Sequence, residues 1–467
     1  MKCTARLCSL VALLAATVVA CGDDTDTEPS PTIDNASLEL PRAVDQDPAD
    51  GTFELDLTAA PADITYGDGP STPAWAYNGS VPGPLIEVAQ GDHLRVHFRN
   101  DLPDETTIHW HGVRLPAAMD GSVFVQSPVQ PGASFEYEFD LKDSGLFWFH
   151  PHVVSDLQVQ RGLYGTILVR GENEPEFDRE LVVVLDDIRL LADGSIDEYP
   201  DDDGITNGRE GNTLLFNGQV SPTLRAQPGE TLRLRLVNTA NGRFFNLKIA
   251  GHQLRVAGTD GGLIPIPYDV DSLPIAPGER YDVFVSLSGD VGDELAITTE
   301  PYDRGHGTDD NPSMPLATLS LEGSKVTGKP LPEDGPAAEL FAEGGESFAV
   351  VLGEAFIGGE QKFTINGAVS PDVPDVMVPN GETRIIELQN DTEQEHPFHL
   401  HGFFFQTIAR DGVPVPESER FNKDTIISPM MSTLTLAARF DEPGMWMYHC
   451  HILEHAERGM MGMVHVE

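Results

Sequence analysis

His93-Leu94-Arg95-Val96-His97-Phe98-Arg99 decides the fold class. Leu94, Val96 and Phe98 alternate with Arg95, His97 and Arg99, and a period of two places the apolar side chains on one face of a strand and the charged ones on the other. Leu232, Leu234 and Leu236 enclose Arg233 and Arg235 in the same way. No long stretch keeps a 3.6-residue apolar period, so the chain is predicted to be all-β.

The strands recur in a larger frame. Asn78-Gly79 is followed twelve residues later by Gly91-Asp92, Asn217-Gly218 eleven later by Gly229-Glu230, and Asn366-Gly367 fourteen later by Gly381-Glu382, each leading into an apolar strand. Offsets of 138 and 152 residues between these marks predict three related β-domains, each long enough to bury its own sandwich core. The expected domains are 51–172, 177–321 and 346–467, with a Gly/Pro/Glu-rich linker over 322–345.

The chain has 467 residues with 45 Gly, 36 Pro and 40% hydrophobic residues, which excludes a fibrous or wholly disordered protein. Its 29 basic residues face 75 acidic ones, a net charge of −46, so a nucleic acid would be repelled. Lys2 and Arg6 precede the apolar run Leu10 to Ala20, too short to span a membrane as a stop-transfer helix, so residues 1–20 are expected to be an export signal. Val18-Val19-Ala20-Cys21 resembles a bacterial lipoprotein processing site, which implies an acylated Cys21 as the only membrane attachment. The acidic stretch from Gly22 to about Ser37 then serves as a tether, and 21–50 as tether and lead-in. The expected location is the periplasm or cell envelope; an ordinary cleaved signal with a coincidental cysteine is the alternative. Only Cys450 remains in the folded body, so no disulfide framework exists there.

The chemistry lies in four His-x-His pairs: His109/His111, His150/His152, His399/His401 and His449/His451. In a strand, residues i and i+2 point to the same side, so each pair aims two imidazoles at one place. Eight converging imidazoles suit borderline metals such as copper or zinc. His396, Cys450, His455 and Met460 add a thiolate, two imidazoles and a thioether, the ligands of a blue-copper electron-transfer centre. Cys450 sits between His449 and His451, so one residue joins the two metal environments.

Gly145 precedes His150 by five residues and Gly444 precedes His449 by five, so the first and third domains are laid out alike. Yet the first has Pro151 for Cys450, Thr106 for His396, Asp156 for His455 and Arg161 for Met460. It can lend imidazoles to a shared cluster but cannot build a blue site. The second domain reads Asn246-Leu247-Lys248 at its equivalent strand, with no ligand pair, and is expected to space the outer two.

His109-Trp110-His111-Gly112, Trp148-Phe149-His150-Pro151-His152, His396-Pro397-Phe398-His399-Leu400-His401-Gly402 and His449-Cys450-His451-Ile452-Leu453-Glu454-His455 through Met460 resemble the four copper motifs of the three-domain multicopper oxidases. The group includes laccases, bilirubin oxidases and bacterial copper-efflux oxidases. The resemblance spans about residues 50–467 and includes Tyr77-Asn78-Gly79-Ser80-Val81-Pro82-Gly83-Pro84. It implies three cupredoxin-like Greek-key β-sandwiches and four copper ions. By motif position, type 1 copper falls on His396, Cys450, His455 and Met460, and type 2 on His109 and His399. One type 3 copper would use His111, His150 and His451, the other His152, His401 and His449.

The implied reaction takes single electrons from a small reducing substrate near His455, passes them through Cys450 and reduces O₂ to two waters. Asp120, nine residues after His111, occupies the position of the acid that assists O₂ reduction in related bacterial enzymes; Met119-Asp120-Gly121 also reads as a plain turn. Several bacterial relatives carry an acid after the motif's last histidine where this chain has Ala456, so either Glu457 substitutes or that part of the proton path is absent.

Substrate choice is less legible. Seven of the eleven methionines fall between Met430 and Met463, and thioethers beside type 1 copper could receive Cu(I). Met445 and Met447 alternate like one buried strand face, and methionine is more often core. The expectation is a laccase-like oxidase of phenols or similar aromatics, with a cuprous oxidase as the alternative and a non-catalytic copper-binding or scaffold protein as a reading of another class.

Overall fold

The computed structural model describes residues 33–467 apart from 48, 199, 307 and 309–311. The leader over 1–20, Cys21 and most of the tether lie outside the described residues. Among those described, no helix is long and apolar enough to cross a membrane.

His93–Asn100 is a strand that buries Leu94, Val96 and Phe98 and leaves Arg99 exposed, as its alternation requires. It pairs in parallel with Thr52–Thr65 and antiparallel with Ser134–Asp140, and Ser71–Tyr77 completes this four-stranded sheet. A second sheet holds Leu85–Ala89, Gly165–Arg170, Gly145–His150 and His109–His111. Leu94 and Phe98 of one sheet share a core with Trp110, Phe149 and Ile167 of the other. Six- and five-stranded sheets form each of the two later sandwiches, so six sheets make three cupredoxin-like units.

The repeat marks have one structure. Asn78, Asn217 and Asn366 sit at φ of 51°, 52° and 54° in tight turns, each followed by a glycine also at positive φ. Their Oδ1 atoms accept from the backbone N–H groups of Thr58, Val184 and Val351. Their Nδ2 groups donate to the carbonyls of Asp56, Val182 and Ala349. Asparagine thus tolerates the left-handed backbone and ties each turn to the neighbouring strand, at the same point of every unit.

One expectation changes. Thr231–Asn238 is a strand, but both its faces are buried, Arg233 and Arg235 included. Arg235 Nε lies 2.7 Å from Glu180, Arg233 Nε lies 3.0 Å from Asp282, and Glu174 contacts both guanidinium groups. Carboxylates replace water on that face, which is how a charged alternation can sit inside a structure. Residues 322–345 carry neither strand nor helix.

Candidate metal centres

Antiparallel pairing sets His109 opposite His150 in the first sandwich and His399 opposite His449 in the third. All eight His-x-His imidazoles are buried and converge between these two sandwiches. His111 stacks on His399 with ring centroids 3.7 Å apart, and His109 on His401 at 3.8 Å, so each stack joins one ring from either sandwich.

The nitrogen chemistry shows what the cluster is built to hold. His109 Nδ1 donates to the Asp120 carbonyl and His399 Nδ1 to the Asp424 carbonyl, both at 2.9 Å, which leaves both Nε2 atoms as acceptors. Those Nε2 atoms face each other at 3.5 Å. His401 Nδ1 donates to the Asp120 carboxylate and His449 Nδ1 to the Cys450 carbonyl, and their Nε2 atoms face each other at 3.2 Å. Lone pairs aimed at one another repel unless a cation lies between them. His150 Nε2, His152 Nε2, His111 Nδ1 and both nitrogens of His451 are buried without a hydrogen-bond partner. Burial pushes His111, His150, His152, His449 and His451 well below the ordinary imidazole value and His401 to about 3, which keeps the rings in the neutral form that binds metal. The donor set fits copper.

Two carboxylates hold these rings from outside. Asp120 ends the short 3₁₀ turn Ala117–Met119, so it is a turn residue, and it also faces the cluster: its carboxylate lies 3.0 Å from His401 Nδ1 and 3.3 Å from His109 Nδ1. Gly121 makes that approach possible. It lies at φ +81°, and a Cβ there would stand 1.8 Å from the Ile108 carbonyl oxygen. Asp424 lies 3.1 Å from His111 Nε2 and receives both Nη groups of Arg280 at 2.6 Å. Burial opposes the ionised form of each carboxylate, but His401 and His109 beside Asp120, and Arg280 beside Asp424, hold both well below the usual range.

Arg280 belongs to the second sandwich, as does Gly278, whose backbone abuts His451 and His111; a Cβ there would come within 3.0 Å of the His451 ring. That unit therefore forms part of the wall of the cluster and does more than space its neighbours.

His396, Cys450 and His455 form a second, separate set. Cys450 Sγ lies 3.5 Å from His396 Nδ1 and 3.7 Å from His455 Nδ1, and the two nitrogens are 3.2 Å apart. The point equidistant from the three donors is about 2.0 Å from each, close to first-row metal–ligand distances. Burial pushes the Cys450 thiol up, so a bound cation must replace its proton. Met460 is buried too; its carbonyl accepts from the Cys450 N–H at 3.1 Å and its N–H donates to the His455 carbonyl at 3.0 Å.

Of the residues singled out in the sequence, all twelve motif residues are buried, and the eleven His and Cys among them fall into these two sets. Glu457 is turned to the Ser155 N–H at 2.7 Å and lies beside Asp156. Met447 and Met463 are buried opposite each other, Met445 and Met461 are half-buried, and Met431 is 70% exposed. Asp424, Arg280 and Thr206 carried no sequence signal, because their partners at the sites lie 313, 144 and 249 residues away.

Three sandwiches, with imidazoles clustered between the outer two and a thiolate set one residue away, define a copper-handling protein. Profiles of the multicopper oxidase family match residues 58–174, 191–324 and 352–467. The chain is 30% identical to the multicopper oxidase MmcO of Mycobacterium tuberculosis, over 88% of this chain and 86% of that one. It is 27% identical to the laccase of Bacillus subtilis, over 84% and 90%. Among solved structures, a multicopper oxidase of Campylobacter jejuni, described as a metallo-oxidase, superposes with a TM-score of 0.83 at 29% identity, covering 92% of this chain and 94% of that one. The chain belongs to the multicopper oxidase family.

Proposed function

We propose that the protein holds four copper ions and is a laccase-like oxidase of phenols or similar small aromatics. His396, Cys450, His455 and Met460 hold type 1 copper, and His109 and His399 type 2. His111, His150 and His451 hold one type 3 copper, and His152, His401 and His449 the other. The observation that carries this reading is the pair of facing Nε2 contacts, 3.5 Å for His109–His399 and 3.2 Å for His401–His449, with a buried, unpartnered nitrogen on each of His111, His150, His152 and His451. Bound there, copper supplies one-electron acceptance from the reducing substrate and four-electron reduction of O₂ to water.

The chain's own groups do the rest. Cys450 joins the sets covalently, since its backbone continues into His449 and His451 while its thiol faces His396 and His455. Asp120 and Asp424 fix which nitrogen of His109, His111, His399 and His401 points inward. Asp120, ionised and hydrogen-bonded to His401, is placed to pass protons toward the reacting oxygen.

The domains divide near 172–177 and across 322–345, and the protein is exported, with Cys21 as its lipid anchor. A cuprous oxidase is the second reading, favoured by Met447 on the strand that carries His449 and by Met461 and Met463 on the strand that follows Met460. O₂ uptake by the copper-loaded protein with 2,6-dimethoxyphenol and with Cu(I) as alternative donors tests the choice. Faster turnover of the phenol supports the laccase reading, and turnover of Cu(I) alone overturns it.

A further inference from the structure

Neither imidazole of the type 1 set has an edge in solvent. His396 Nε2 is 2.9 Å from Thr392 Oγ1 within its own sandwich. His455 Nε2 donates to the backbone carbonyl of Thr206 at 3.0 Å, and His455 has no exposed surface. Thr206 lies in the short helix Asp202–Asn207, which belongs to the second sandwich's stretch of chain.

This cap is built in. The Thr206 carbonyl also accepts from Gln394 Nε2 at 2.9 Å, so both its lone pairs are used. Thr206 Oγ1 donates to Gln361 at 2.9 Å, and the next carbonyl, of Asn207, accepts from Arg304 at 2.6 Å. Gly208 then abuts the Ile452 side chain, two residues from Cys450. On the inner side Phe363 stacks on the His455 ring at 3.7 Å. A phenol hydroxyl that sought a hydrogen bond with His455 would find the nitrogen taken and the ring covered on one face.

We propose that the reducing substrate does not touch His455, because the Asp202–Asn207 helix stands between them, and that its electron crosses the Thr206 carbonyl to reach His455. The copper-free sandwich thereby selects the donor. The inference rests on the type 1 assignment of His396, Cys450 and His455. The donor is oxidised by one electron, copper(II) at that set is reduced to copper(I), and a phenolic donor releases its hydroxyl proton to water. Donors able to transfer an electron without contact are favoured over those that must bond the imidazole.

Two measurements test this. In the copper-free wild type, diethylpyrocarbonate followed by peptide mass analysis should modify the exposed His306 and leave His455 intact. Replacing residues 202–206 by Gly-Ser should expose His455 to the reagent and leave His396, which is capped from its own sandwich, protected. Thr206→Val, which removes only the side-chain bonds of the cap, should raise His455 modification by a smaller factor and covers the case in which the shortened chain misfolds. In the copper-loaded proteins, the rate at which the blue colour bleaches without oxygen is compared for 2,6-dimethoxyphenol and for hexaammineruthenium(II). The shortened variant should raise the phenol-to-ruthenium rate ratio several-fold. Modification of His455 in the wild type, or a rate ratio that stays level or falls, overturns the inference. A copper-loaded wild type without blue colour would instead overturn the type 1 assignment, whatever the modification pattern.

Discussion

His401 and His449 point their Nε2 atoms at each other across 3.2 Å while both Nδ1 atoms donate outward, to the Asp120 carboxylate and to the Cys450 carbonyl. Neither ring can turn to relieve the contact without leaving an outer acceptor bare. The native state therefore carries an internal repulsion that a cation removes, and an ion that binds only the folded chain adds stability by mass action.

Stripping copper with a chelator should accordingly lower the thermal midpoint by several degrees, and reloading should restore it. Each tenfold excess of free copper over its dissociation constant adds about 1.4 kcal/mol. Calorimetry of stripped and reloaded samples checks this, and identical midpoints would mean that the facing nitrogens bind no ion.

Asp120→Asn keeps an acceptor for His401 Nδ1 but removes the charge and the proton-carrying oxygen. Reduction of the type 1 centre by substrate should stay near wild type, while reoxidation by O₂ slows at least about tenfold, more so as pH rises and protons grow scarce. Stopped-flow traces with unchanged reoxidation would leave Asp120 the role of turn and tether alone.

Arg280→Met leaves the Asp424 carboxylate buried without its bidentate partner. The unpaired charge should cost about 3 kcal/mol in denaturant unfolding. It should also loosen His111 and His399, so that copper is lost from the histidine cluster while the blue colour persists. Loss of colour with the cluster intact would contradict the wiring of Asp424 to His111 and His399.

The ligands were legible because each motif keeps its donors two residues apart: His109 and His111 share a strand, whose period of two sends them to the same side, and His152, His401 and His451 lie just past the ends of the strands that carry His150, His399 and His449. His109 with His111, and His449 with His451, carry their geometry in their spacing. The three Asn-Gly turns were legible as repeat marks for a similar reason, since a left-handed turn favours few residue types. Asp424, Arg280 and Thr206 were not: each acts on a ligand through a contact between distant parts of the chain, and nothing local sets an Asp held by a distant Arg apart from any other acid. The role of Thr206 lies in its backbone carbonyl, which any residue would supply. The burial of Arg233 and Arg235 escaped for the same cause, because their carboxylate partners come from other strands and loops.

Asp186 gives a pH signature away from the copper sites. Burial, and then the neighbouring charge of Asp187, raise its carboxyl to about 7, against the hydrogen bond from Tyr164. The folded chain keeps this proton between about pH 4 and 7 whereas the unfolded chain has lost it, so this group's contribution to stability falls as pH rises through that window. Asp186→Asn should flatten the fall in thermal midpoint between pH 5 and pH 7.5. An unchanged slope would show that Asp186 is ionised throughout.

The most direct test of the whole account is copper analysis with electron paramagnetic resonance on the reloaded wild type and on Cys450→Ser. The wild type should bind four copper ions per chain and be blue, with two of the four giving a signal, because a coupled type 3 pair is silent. Cys450→Ser should lose the blue signal and keep the type 2 signal and the silent pair. A wild type that binds two ions or fewer, or a Cys450→Ser protein that stays blue, would contradict the assignment of these residues to a type 1 centre and a three-copper cluster.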